Sequence, residues 1–197
     1  MKMESKKRLY SMKEAYIITW QAMRTMPQLR RARKSGEMDE QFMERVMLAV
    51  TEVNGCAICS YAHTKMALEA GLSDIEIQNM LSGISYDVPA EELQAIMFAQ
   101  HYADSRGIPS KESWERIVET YGLSKAKGIL GSIRAIMMGN VYGIPWGSFF
   151  NRIKGKPDKR TSWLYDLSLM IGSILFLPFA LVHALISKIL RQPIISF

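Results

Sequence analysis

DEQFMERVMLAVTEVNGCAICSYAHTKMALEAGLSDIEIQNML, residues 39–81, is the stretch whose reading decides the fold. It divides into three helices at two punctuation marks. From about Asp39 to Val53, Phe42, Val46, Ala49 and Val50 fall on one apolar stripe, and Asn54-Gly55 ends that helix because the dipeptide accepts a left-handed backbone. The next helix is predicted from about Cys56 to Ala70 and stops at Gly71. Ser73 is then a fresh N-cap with Glu76 at the capping-box position, which starts a short helix over Asp74 to Leu81.

Outward from this stretch the same signals recur. Tyr16, Ile17, Trp20 and Met23 have helical spacing, predicting a helix from about Met12 to Met26 that ends at Pro27. Downstream, helices are predicted from Pro89 to about Ser105, Ser110 to Tyr121, and Ser124 to about Asn140, each opened by Pro or a hydroxyl residue. No run alternates in the manner of a strand, so the fold class is all-α.

From Asn140 to Arg160 the chain is rich in Gly, Pro, Asn and basic residues, a composition that predicts a boundary. The expected organisation is therefore one domain over residues 1–150, then a basic linker and an apolar helix over 151–197. Leu167 to Ile186 contains no Asp, Glu, Lys or Arg, and its length is about the 20 residues that a bilayer span requires. A span, an interfacial helix and a helix buried between subunits all fit such a segment. Pro178 near its middle predicts a kink. Lys154, Lys156, Lys159 and Arg160 outnumber Lys188 and Arg191, which for a span would put the main domain in the cytoplasm, with Trp163 and Tyr165 at the level of an aromatic belt.

The chain has 197 residues, 48% of them hydrophobic, enough for one sizeable core. Its net charge of +6 comes from clusters at Lys2, Lys6, Lys7 and Arg8, at Arg30, Arg31, Arg33 and Lys34, and at Lys154 to Arg160. None of these is interleaved with aromatic residues or set in a nucleic-acid motif, so no nucleic-acid partner is expected. The basic N-terminus leads into Tyr10, Lys13 and Glu14, unlike the apolar core of a secretory signal.

The two cysteines of the chain, Cys56 and Cys59, lie three residues apart. Closing so short a loop restrains the unfolded chain little, so the pair reads as reactive and not as a structural staple. A zinc site would need four ligands, and the sequence has no second cysteine pair or close histidine pair to complete one. Residues three and four apart share a helix face, which aligns Cys56, Cys59 and His63 along one stripe. Free N–H groups and the helix dipole in the first turn favour a thiolate there. His63 is placed to act as general base for Cys59. Glu44 and Glu52, eight apart on the preceding helix, are the carboxylates available to orient it, and either can pair with His63.

Glu44, eleven intervening residues, Cys56-Ala57-Ile58-Cys59 and then His63 resemble the signature of the alkylhydroperoxidase D group within the carboxymuconolactone decarboxylase family. The following Thr64 to Ile77, with its Ala-Gly-Leu-Ser, is similar to the family's stretch after the histidine. The resemblance covers about Glu40 to Tyr102 well and the helices to Asn140 more loosely. It implies a helical bundle assembling as trimers or hexamers, here with an additional C-terminal apolar helix, and an antioxidant thiol peroxidase that cycles between dithiol and disulfide without metal or cofactor. Carried onto this chain, Cys59 is the peroxidatic thiol, Cys56 resolves its sulfenic acid, and Glu44 with His63 forms the proton relay. Glu52 becomes the lesser candidate. The substrate implied is a hydroperoxide and the electron donor a dithiol or a lipoyl protein.

One departure stands at Ile58, where members nearest the characterised peroxidases often carry a second histidine. A general disulfide reductase, a membrane-tethered thiol sensor without turnover, and lactone decarboxylation are the other readings. Decarboxylases of the family lack the cysteine pair, which argues against the last.

Overall fold

A computed structural model describes residues 7–197, so Lys2 and Lys6 of the first basic cluster lie outside the described residues. The described residues form seven helices and no strand: α1 Met12–Ser35, α2 Glu40–Asn54, α3 Ala57–Glu69, α4 Asp74–Leu81, α5 Ala90–Asp104, α6 Lys111–Ile153 and α7 Trp163–Ile189. The all-α class and the additional apolar C-terminal helix are both present.

The caps explain where these helices begin. Ser11 and Glu14 make a reciprocal capping box on α1, and Asp39, Ser73, Ser110 and Ser162 each accept a backbone N–H in the first turn of α2, α4, α6 and α7. Gly36 and Gly55 take left-handed conformations and close α1 and α2.

α6 is the spine of the molecule, packing against α1, α2, α3, α5 and α7. Its Ile129, Leu130, Ile133, Met137 and Val141 are fully or almost fully buried against Val46 and Val50 of α2 and Ile96 and Ala99 of α5, among others, in one core. Arg45, buried on α2, ties this core to two further elements by pairing with Glu76 of α4 at 2.6 Å and Glu92 of α5 at 3.1 Å.

Two helices run further than their sequences predict. α1 passes through Pro27 to Ser35, so the basic cluster at Arg30, Arg31, Arg33 and Lys34 forms its last turns and not a break. The cost of a helix-interior proline is local. It is outweighed because Leu29 and Ala32, beyond the proline, pack where α6 has no side chain: a Cβ at Gly128 would lie 2.5 Å from that of Ala32, and one at Gly131 would lie 3.0 Å from that of Leu29.

α6 likewise joins the two helices expected over Ser110–Tyr121 and Ser124–Asn140. Gly122, at φ 73° and ψ 157°, kinks the chain between them without ending it. Beyond Asn140 the helix continues through Pro145 to Ile153, because Val141, Ile144 and Ser148 are buried. The expected boundary at residue 150 thus falls in the last turn of α6. The stretch 154–162 is a short connection, after which α7 returns to pack along α1 and α6. Pro178 is accommodated inside a continuous α7.

Candidate active site

Cys56 is the N-cap of α3. Its backbone is extended, at φ −91° and ψ 100°, and its Sγ accepts the N–H of Cys59 at 3.3 Å. A cysteine takes the capping place here because Asn54-Gly55 turns the chain sharply just before it. Asn54 is fixed in turn by a buried polar chain: the Tyr10 hydroxyl donates to its Oδ1, its Nδ2 donates to Asn140 Oδ1 at 3.1 Å, and Asn140 Nδ2 donates to Thr51 Oγ1 at 3.2 Å. This chain locks the end of α2 to the middle of α6.

Cys56 and Cys59 are joined in a disulfide, with their Cα atoms 5.3 Å apart. Cys56 is fully buried and Cys59 is 8% exposed. The bond lies flat against α6, where Gly139, Gly143 and Gly147 present one turn-spaced strip of bare backbone. A Cβ at Gly143 would fall 2.6 Å from Cys59 Sγ and 2.7 Å from Cys56 Sγ. Only glycine leaves room for both sulfurs. The carbonyl of Gly139 lies 3.6 Å from Cys59 Sγ.

One turn after Cys59, His63 Nδ1 lies 2.7 Å from Oε2 of Glu44 on α2. Both side chains are largely buried, and the contact is the only one in which Glu44 meets a cationic or titratable partner among the described residues. Donation from Nδ1 to the carboxylate leaves Nε2 as the basic nitrogen of the neutral ring. The pair is thus built to hold one ring orientation and one tautomer.

Of the two carboxylates on α2, Glu52, the lesser candidate, goes elsewhere. It pairs with Lys7 at 3.1 Å and faces Gly83. Glu44 and His63 thus pair between α2 and α3, and Cys56 and Cys59, at the start of α3, lie against α6. Gly139, Gly143 and Gly147 belong to the same site, although the sequence puts Gly143 and Gly147 in a composition boundary and Gly139 near the end of an expected helix. Their four-residue spacing on a helix was the available signal.

Ile58 fills the place between the cysteines and is 45% exposed. Its side chain lies over Gly143 and Gly147 and forms part of the wall of a cavity of about 540 Å³, with Tyr61, Phe150 and Arg160. Arg160 is held in that wall by donating to the Gly55 carbonyl at 3.1 Å and to Asp158 at 2.7 Å. The hydrogen bonds from Arg160 hold the Asp158 carboxyl below its usual range. A smaller cavity of about 260 Å³ reaches Glu44, lined also by Met43, Met47 and Met66.

Residues 21–101 match the model of the carboxymuconolactone decarboxylase family. The match contains Glu44, both cysteines and His63, and ends before α6 and α7. No curated protein and no solved structure matches the chain. Over residues 21–101, which carry all four candidate residues, the chain is similar to the carboxymuconolactone decarboxylase family.

Proposed function

We propose that the chain is a thiol-dependent peroxidase and disulfide oxidoreductase of the alkylhydroperoxidase type. The observation that carries this reading is the Glu44–His63 pair one helical turn from a cysteine pair already joined as a disulfide. A lactone decarboxylase has no use for such a pair.

In the dithiol form His63 takes the Cys59 proton. The thiolate attacks the near oxygen of a hydroperoxide, the O–O bond breaks, and the alcohol leaves with the proton that His63 returns. Cys59 is then a sulfenic acid. The Cys56 thiol attacks its sulfur, water leaves, and the disulfide closes.

The greater exposure of Cys59 supports its role as the attacking sulfur, and also as the one that a dithiol donor reaches. When the donor attacks Cys59, Cys56 is the leaving group. Its place at the α3 N-terminus, accepting the Cys59 N–H, stabilises the departing thiolate. Two electrons from the donor dithiol, or from a dihydrolipoyl group, thus restore the starting state.

α3 buries only Cys59 and Ala67 and leaves Ile58, Tyr61, Met66 and Leu68 exposed, which supports assembly into a homo-oligomer through this helix. α7 attaches the redox domain to the cytoplasmic face of a membrane. It is long and apolar enough to do so, with mean hydropathy 2.3.

Peroxide turnover with a panel of dithiol and dihydrolipoyl donors tests the activity. Cys59→Ser is expected to abolish it, and Cys56→Ser to stall at a sulfenic acid that dimedone traps. Turnover by Cys59→Ser at the wild-type rate would refute the assignment. Oxidation by peroxide with no donor able to restore the dithiol would point to a sensor in place of an enzyme.

A further inference from the structure

α7 is built inside out. Asp166, Gly172, Ala180, His183, Ala184 and Ser187, together with Leu169 and Phe176, face inward, whereas most of the large apolar side chains, among them Leu167, Ile171, Ile174, Phe179, Leu181 and Leu185, face outward and are exposed. A helix on a water-soluble surface has the opposite polarity.

The inward face is latched near both ends. Asp166, fully buried, takes hydrogen bonds from Arg152 at 3.3 Å and Ser148 at 3.1 Å. The Tyr16 hydroxyl lies 3.2 Å from His183 Nδ1, the Trp20 ring stacks on His183 at 4.7 Å, and Trp20 Nε1 donates to Ser187 at 3.2 Å. Past the helix, Arg24 donates to the carbonyls of Gln192 and Pro193, and Arg134 to that of Ile194. To cross a bilayer, α7 would have to leave all these partners or carry α1 with it. α1 bears Lys13, Glu14, Arg24, Arg30 and Arg31, which hydrocarbon excludes.

We infer that α7 docks flat on an anionic lipid leaflet, its outward face sunk about 5–10 Å into the boundary between headgroups and acyl chains. This rests on the reading above that α7 attaches the chain to a membrane, and it specifies the mode and the lipid chemistry.

Charge decides between a leaflet and a second copy as the occupant of this face. Exposed Lys154, Lys156 and Lys159 stand before the N-terminal end of α7, and exposed Lys188 and Arg191 at its C-terminal end. Two copies paired face to face about a two-fold axis would bring basic end against basic end, whether the helices ran parallel or antiparallel. Anionic headgroups at both ends complement them instead. The face itself offers no hydrogen-bonding side chain among those outward residues. Protein interfaces normally carry several, and acyl chains require none.

Docking in this way puts the redox site beside the leaflet. The cavity wall at Phe150 runs through Phe149, at 5.8 Å between ring centres, to Trp163 at the start of α7, at 5.5 Å.

The test adds the full-length protein to preformed vesicles of phosphatidylcholine, alone or with about one-third phosphatidylglycerol, and measures flotation. At least ~10-fold tighter binding to the anionic vesicles is expected, weakening as salt rises. The double variant Lys188→Glu, Arg191→Glu is expected to lose most of that preference. Ile174→Glu with Leu181→Glu should cut binding to both vesicle types at least ~10-fold with the thiol chemistry intact. An impermeant amine reagent added outside should label Lys188 as fully as Lys154, Lys156 and Lys159. Binding with Lys188 protected would mean a span and overturn the flat arrangement while keeping membrane attachment. Equal binding to neutral and anionic vesicles would remove the anionic leaflet. No binding to either vesicle, with self-association lost in the Ile174→Glu, Leu181→Glu variant, would make a second copy the occupant and remove membrane attachment as well.

Discussion

α3 and α7 meet the rest of the chain in a similar unusual way, largely through small or polar side chains, with Leu169 and Phe176 the apolar exceptions on α7, and both turn large apolar residues outward. They differ in what the inner face holds. Under α3 it is a reactive bond pressed on Gly143 and a histidine oriented by Glu44. Under α7 it is a set of hydrogen bonds with no reactive group among them, Asp166 to Arg152 and Ser148, Trp20 to Ser187. The comparison teaches that an inverted helix face can be made for chemistry or for docking, and that the inner contacts tell which.

Substitutions under each helix should therefore separate cleanly. Glu44→Gln keeps the shape of the α3 site but removes the charge that orients His63, and peroxide turnover is expected to fall about 10²–10⁴-fold, read as steady-state kcat/KM, with vesicle flotation unchanged. Gly143→Ala places a methyl group where both sulfurs sit. Shifting the pair by a fraction of an ångström should cost about 10²-fold in turnover, again with flotation unchanged.

Under α7 the expected loss is one of stability. Asp166→Asn leaves the Arg152 guanidinium without its buried carboxylate, and thermal or denaturant unfolding should show a loss of about 1–3 kcal/mol, with thiol reactivity retained. If Asp166→Asn instead abolished turnover while leaving stability alone, the division between the two helices would be wrong.

The smallest effect is expected in the connection between the two regions. The folded-state carboxyl of Asp158 is held low by Arg160, so its contribution is complete above the ordinary carboxylate range and is lost as pH falls through it toward the lower folded value. Because the group is partly solvated, the contribution is about 0.5 kcal/mol. Wild type and Asp158→Asn should differ in unfolding midpoint at neutral pH and converge below about pH 4.

Much of the α3 region was legible in the sequence. Asp39, Gly55, Ser73 and the apolar stripe of α2 are local signals, and local signals fixed α2, α3 and α4 to within a residue of their observed ends. Cys56, Cys59 and His63 aligned by helical spacing alone, and Glu44 was one of two carboxylates left open. The family resemblance favours it over Glu52; spacing alone does not, because the choice depends on where α2 faces α3, which no local pattern states.

The α6 half of the site was not legible for a related reason. Gly139, Gly143, Pro145 and Gly147 are helix-weakening residues by propensity. The use of Gly143 appears only when the disulfide is laid against it, and the same disulfide reaches the carbonyl of Gly139, 80 residues from Cys59 in sequence. Pro27 misled in the same way, since the packing of Leu29 and Ala32 on α6 outweighs a local penalty. In α7 the hydropathy was plain. The inward direction of Asp166, His183 and Ser187 was not, because it is set by partners on α1 and α6.

The most direct test of the redox assignment is a stoichiometric one. The fully reduced protein is mixed with one equivalent of an organic hydroperoxide, and thiols and alcohol are counted as the reaction proceeds. Two thiols lost and one alcohol formed per hydroperoxide, with Cys56 and Cys59 recovered as the disulfide, is the result expected. Hydroperoxide left unconsumed while both thiols remain free would contradict it.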